Sequence, residues 1–112
     1  LFDHVMVSTD DEEIAQIAEK YGAEVPFFRS EATSGDFATT NDVLAEVLAE
    51  YEKRGMHFDI ACCIYPTAPF VTAQKLTNAV EQLEASDADT LIPVVIIMMW
   101  VSFMYSARNV LP

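Results

Sequence analysis

A three-layer α/β fold with a mainly parallel, Rossmann-like sheet is what this sequence predicts, and two features predict it. Short apolar stretches rich in β-branched residues alternate with segments of helical period, in the order β-α-β-α-β-α-β. The stretch 58–65, "FDIACCIY", is almost continuously apolar, as a strand covered by helices on both faces would be. Helical connections of this length favour parallel strands joined by right-handed crossovers.

The elements follow from local chemistry. Residues 4–8 are predicted as the first strand, running into Thr9-Asp10-Asp11-Glu12-Glu13, where Asp10 and Glu13 have the spacing of a capping box. The helix that starts there carries Ile14, Ile17, Ala18 and Tyr21 on one stripe, and Gly22 ends it. A second strand spans 24–28. Residues 29–38 are predicted as polar loop, with Ser34-Gly35-Asp36 as its turn signal. Thr39 or Thr40 then caps a second helix bearing Val43, Leu44, Val47, Leu48 and Tyr51, and Gly55 closes it. The strand 58–65 is expected at the centre of the sheet. Thr72 caps a third helix with Leu76, Ala79, Val80 and Leu83 on one stripe, and 89–95 forms a last buried strand. Residues 1–95 thus form one α/β domain, and 96–112 a divergent apolar tail with no assigned element.

Composition narrows the function. A chain of 112 residues has the size of one ordinary domain, and a hydrophobic fraction of 52% is ample for a core. Six basic residues against eighteen acidic ones give a formal charge of −12. That balance argues against a nucleic-acid partner and requires any phosphate site to rest on local features. Cys62 and Cys63 are neighbours in a predicted strand, where adjacent side chains face opposite ways, so they suit neither a mutual disulfide nor a shared metal. Reduced thiols and the lack of a secretory leader point to the cytoplasm. Residues 90–107 carry no charge, yet Pro93, Ser102 and Ser106 interrupt them, which favours a buried strand and apolar tail over a membrane span.

In parallel sheets ligands bind beyond the carboxyl ends of the strands, and "STDD", Arg29 and "YPTAPF" all follow predicted strand ends. Asp10, with Ser8 and Thr9, can meet a polar ligand there or simply cap the helix. Arg29 can pair with a ligand phosphate or carboxylate, or with one of the many acids of the chain. The stretch "DFATTND" enters a helix with Thr39, Thr40 and Asn41, which can take a ligand oxygen or satisfy the helix end internally. Pro66-Thr67-Ala68-Pro69 leaves its strand as a stiff loop that either presents Thr67 and backbone to a ligand or only ends the strand. His4 and His57 have no partner at metal-ligand spacing and read as surface or packing residues. Gly22, Gly35 and Gly55 are isolated, so no glycine-rich phosphate cradle is present.

Taken as a set, "VMVSTDDEEIAQIAEKYGAEVPFFR", "SGDFATTNDVLAEVLAEY" and "CCIYPTAPFVTAQKLTNAV" closely resemble the cytidylyltransferases that activate nonulosonic acids, the acylneuraminate (CMP-sialic acid) synthetases. The resemblance covers residues 1 to about 95. "FDHVMVSTDDEEIA" and "CCIYPTAPF" look most like the pseudaminic acid branch, in which Tyr-Pro-Thr-Ala-Pro-Phe stands where sialic acid enzymes have Gln-Pro-Thr-Ser-Pro-Leu. The resemblance implies transfer of CMP from CTP to a nine-carbon keto sugar acid, with release of pyrophosphate and help from Mg2+. It places Arg29, Thr40 and Asp10 at the nucleotide, and Tyr65, Pro66 and Thr67 along the substrate cleft. A homodimer is open to the full-length family member.

The chain also departs from that pattern. The family's first strand and basic glycine-rich loop would precede Leu1, the aspartate pair that holds the metal would lie downstream, and the match fades from Ile96 onward. The expectation is therefore a fragment or deleted copy with an incomplete sheet of the nucleotide-diphospho-sugar transferase type. Its catalytic residues are unassigned, and the chain alone is not expected to turn over. Two readings compete: a fragment of a related ketodeoxyoctonate cytidylyltransferase, distinguished by the sugar accepted, and a non-catalytic α/β remnant, distinguished by failure to bind CTP.

Overall fold

The computed structural model describes residues 1–94 and the backbone of 103–106. Among the described residues four helices and three strands follow in the order α1 (Glu12–Lys20), α2 (Glu31–Ser34), α3 (Thr40–Lys53), β1 (Ile60–Cys63), α4 (Ala73–Glu84), β2 (Thr90–Leu91) and β3 (Phe103–Ser106). The backbone gathers into two compact units, Phe2–His57 and, together with Leu1, Phe58–Pro112.

In the Phe2–His57 unit the two expected strands, 4–8 and 24–28, shrink to a single parallel bridge between Met6 and Glu24. Its bonds run from Glu24 N to Val5 O at 2.8 Å and from Val7 N to Glu24 O at 3.0 Å. The next rung of a parallel ladder would need an N–H from Pro26, which has none. The segments meet again only where Arg29 N donates to Thr9 O at 2.8 Å, so 24–29 bows out over the span that 7–9 crosses directly. Within the expected polar loop, Glu31–Ser34 forms the one-turn helix α2.

Helix α3 buries Leu44, Leu48 and Tyr51, the stripe that its spacing predicts. Tyr51, only 2% exposed, is the centre of this small core. Phe27 packs edge-on against its ring at 5.5 Å, and the Arg54 guanidinium lies 4.8 Å above the Phe27 ring. The Tyr51 hydroxyl reaches Glu24 Oε2 at 3.5 Å, and Glu24 also meets His4 Nδ1 at 3.1 Å. The end of α3 is thereby fastened to the bridged segment.

Helix α1 is turned from its expected face: Ala15 is buried and Ala18 half-buried, while Ile14 and Ile17 are 50% exposed and Tyr21 84%. Small side chains form its contact stripe, a choice that hydrophobic periodicity does not foresee. Its cap is also displaced by one residue. Thr9 Oγ1 accepts the Asp11 N–H at 3.1 Å, and Asp11, not Asp10, then accepts Ile14 N at 2.9 Å. Both α1 and α3 end on a glycine with positive φ, Gly22 at 90° and Gly55 at 79°. Each helix closes with the paired bonds of a Schellman turn, Ala23 N to Ala18 O and Met56 N to Tyr51 O, both at 3.0 Å.

In the Phe58–Pro112 unit the described strands form a sheet in the order β1-β3-β2, with β3 antiparallel to both neighbours. Among the described residues this sheet is antiparallel, where a mainly parallel one was expected, and 58–65 is not central in it. β1 is four residues long, lies at one edge of this sheet, and all four residues are only half-buried. Its unbroken apolar pattern reflects partial cover on both faces rather than a central position. β3 comes from the expected tail and pairs Phe103 with Cys63 and Met104 with Leu91. The strand expected at 89–95 is reduced to Thr90–Leu91; its last residue and the tail outside 103–106 lie outside the described residues. Helix α4 follows the reading, capped by Thr72 with Leu83 buried and Leu76, Ala79 and Val80 half-buried.

Candidate functional site

The first strand-end segment and the end of the bowed segment meet at Arg29. Its Nε donates to Ser8 Oγ at 3.1 Å and its Nη2 to the Ser8 carbonyl at 2.6 Å. The adjoining Thr9 is buried, which fixes the strand end that carries Ser8. Among the described residues Arg29 makes no ion pair, although acids outnumber bases three to one in the chain. Its partners are neutral acceptors, so its charge is oriented without being cancelled. Asp10, nearby in sequence, is exposed and does not cap α1.

Thr40 is the first residue of α3, and Thr39 is its cap. Thr39 Oγ1 accepts Asp42 N at 3.2 Å while Asp42 Oδ2 accepts Thr39 N at 2.9 Å. Hydrogen bonds from the Thr39 side chain and backbone hold the Asp42 carboxyl below its usual range. Thr40 and Asn41 open the helix at its positive end. Ser30 N donates to Glu46 Oε1 at 2.9 Å, and Thr33 Oγ1 donates to Glu46 Oε2. The segment that follows Arg29 is thereby tied to α3, which holds Arg29 and Thr40 in one framework.

Burial pushes the Glu46 carboxyl up, but the hydrogen bonds from Thr33 and Ser30 outweigh it and leave it below the usual carboxylate range. Its folded pKa therefore lies under its unfolded value, and its contribution to stability is present above about pH 4.5 and lost as the pH falls through the folded value. Glu46→Gln is expected to lower stability at pH 7 by about 1 kcal/mol. The difference from the parent chain should close towards pH 3. Urea melts at several pH values measure it, and a gap of the same size at pH 3 and pH 7 would remove the carboxylate from the account.

In the other unit Tyr65, Pro66 and Thr67 form one turn, closed by Ala68 N donating to Tyr65 O at 3.0 Å. Pro66 takes the second position of that turn, where its fixed φ fits. Tyr65 is half-buried, and Pro66 and Thr67 are exposed. Lys75, from the first turn of α4, reaches back to the Phe70 carbonyl at 3.3 Å and brings a cation onto the loop. Sequence reasoning missed it; the signal was its place three residues after the cap Thr72. Burial, with Cys63 adding to it, pushes the Cys62 thiol in β1 up to about 11, which disfavours its thiolate.

Among the described residues no group of three or more His, Cys, Asp or Glu side chains could hold a metal ion. Among the same residues no helix is long and apolar enough to cross a membrane.

Residues 1–110 match the family described as Cytidylyltransferase. The chain is 38% identical over 82 residues to a pseudaminic acid cytidylyltransferase of Campylobacter jejuni, covering 73% of this chain and 35% of that protein. It is 33% identical over 79 residues to a CMP-N,N'-diacetyllegionaminic acid synthase of Legionella pneumophila, covering 70% of this chain and 34% of that protein. It is 35% identical over 95 residues to N-acylneuraminate cytidylyltransferase A of Danio rerio, covering 85% of this chain and 21% of that protein. The chain spans about a third or less of the length of these curated relatives.

Proposed function

Because the chain belongs to the cytidylyltransferase family, we propose that it is part of an enzyme that transfers CMP from CTP to a nonulosonic acid. Pseudaminic acid is the acceptor we favour, since the names of its relatives specify pseudaminic, diacetyllegionaminic and acylneuraminic acids. The three-layer, Rossmann-like sheet of such enzymes is the context in which we read the two units. The cytoplasm, where CTP is made, is the corresponding location.

Arg29 carries the proposal: a half-buried guanidinium held by two neutral acceptors is built to receive an anion. We assign it to a phosphate oxygen of CTP. Thr40, at the positive end of α3, takes a further nucleotide oxygen, and Asp10 lies beside the same strand end. In the other unit we assign Tyr65, Pro66 and Thr67 to the acceptor sugar, since a proline-stiffened turn needs little ordering on binding. In the reaction the anomeric hydroxyl of the sugar attacks the α-phosphorus, its proton leaves, and the bond to the bridging oxygen breaks to release pyrophosphate. The residues of this chain bind and orient; none is assigned to the proton transfer. Mg2+ enters the proposal only as the companion of the triphosphate.

Calorimetric titration of the chain with CTP, with ATP, GTP and UTP as controls and Mg2+ present, tests the nucleotide reading. Preference for CTP is expected, and no uptake or equal uptake of all four would overturn it. Pyrophosphate release by the whole protein, compared for pseudaminic, legionaminic, sialic and ketodeoxyoctonic acids, tests the acceptor. Preference for the last would move the chain to the ketodeoxyoctonate branch.

A further inference from the structure

We infer that Ser8 is a positioning residue for Arg29, which it aims at the nucleotide phosphates; the inference rests on the reading of Arg29 as a CTP contact. A guanidinium offers two forks of N–H donors, one on its side, from Nε and Nη2, and one at its end, from the two Nη atoms. Ser8 fills the side fork completely, its hydroxyl accepting from Nε at 3.1 Å and its carbonyl from Nη2 at 2.6 Å. The end fork remains, and it too can match two oxygens of a phosphate.

The anchoring is rigid at both ends. Arg29 N donates to Thr9 O at 2.8 Å, so the two residues beside the fork are joined through backbone as well as side chain. Thr9 is 6% exposed and its hydroxyl is engaged by Asp11 N at 3.1 Å, which leaves Ser8 little freedom to turn away. The identity of the partner matters too. A carboxylate at position 8 would hold the fork equally well but would neutralise the guanidinium, and in a chain with a formal charge of −12 an uncancelled cation is the scarce element. A serine fixes direction and leaves the charge available. Its role is to preorganise, so that the arginine is not ordered at the moment of binding.

The test compares CTP affinity by calorimetry for the parent chain, Ser8→Ala, Ser8→Thr, Arg29→Ala and the double variant Ser8→Ala/Arg29→Ala, with folding checked by circular dichroism. Ser8→Ala is expected to weaken CTP binding about fivefold, the loss typical of one hydrogen bond, and Ser8→Thr to restore it. In the Arg29→Ala background Ser8→Ala should add nothing. The Arg29 Nε–H resonance, slowly exchanging in the ligand-free parent chain, should exchange fast in Ser8→Ala and stay protected in Ser8→Thr. If Ser8→Ala fails to fold, Ser8→Cys, which keeps the volume and offers only a weak acceptor, takes its place. Unchanged affinity in Ser8→Ala while the parent binds CTP would overturn this inference alone, as would an equal loss with and without Arg29. Absence of CTP binding by the parent chain would remove the nucleotide reading and the inference together.

Discussion

Replacement of Tyr51 by alanine is expected to unfold the Phe2–His57 unit. Tyr51 is 2% exposed and holds the edge contact with Phe27 and the hydroxyl contact with Glu24, the links between α3 and the bridged segment. Burial of the phenol, with the neighbouring Glu24 charge, pushes its pKa above the usual tyrosine value, so the ring stays neutral throughout the stable range. Truncating a buried aromatic to alanine removes about 3–5 kcal/mol. A unit of this size has a total stability of only about 3–8 kcal/mol. Tyr51→Phe, which keeps the ring, should lose no more than about 1 kcal/mol, because the hydroxyl contact is long. Hydrogen exchange of the α3 amides reports the result: global loss of protection is expected in Tyr51→Ala and near-parent protection in Tyr51→Phe. Retained protection in the alanine variant would show that the stability of this unit lies elsewhere.

Arg29→Ala should weaken CTP binding by roughly 10- to 100-fold, the range for loss of a hydrogen bond to a charged group. The backbone bond from Arg29 N to Thr9 O survives the substitution, so the fold should persist. Arg29→Lys keeps the charge but has no fork with which to hold both Ser8 acceptors, and it should recover less than half of the lost binding free energy. Calorimetry at low and moderate salt measures both variants. Parent-like affinity in Arg29→Ala would reduce Arg29 to a strut between two segments.

Much of this was legible in the sequence because it is local. The caps at Thr39 and Thr72, the apolar stripes of α3 and α4, and the glycines that end two helices each depend on residues within one or two turns of one another. The face of α1 was legible only at Ala18, since Ala15, the residue it buries, is too small to dominate a hydrophobic pattern. The shift of its cap was not legible, because Asp10 with Glu13 has the capping-box spacing and Asp11, followed at the third position by Ile14, does not, yet the bond from Asp11 N to Thr9 moves the cap to Asp11. Strand pairing was the least legible. It joins distant residues, so neither the antiparallel β3 nor the single bridge at Met6 could be read from periodicity. At the candidate site the sequence marked Ser8 and Arg29 separately as groups for a ligand. That one orients the other depends on a contact twenty-one positions apart in the chain.

Pro26 has a wider effect than the rung it removes. In the alignment centred on Met6 and Glu24, position 26 falls where the parallel ladder would take its next donor, so the pairing ends there and the backbone bows outward before Arg29 meets Thr9. The proline thus limits the pairing within its own unit. It also spoils 24–28 as a template for another chain: an intruding strand would meet the same missing donor in the middle of five residues that include two phenylalanines. One ring closed on its own nitrogen thus makes a stretch that reads as sticky a poorer template for pairing.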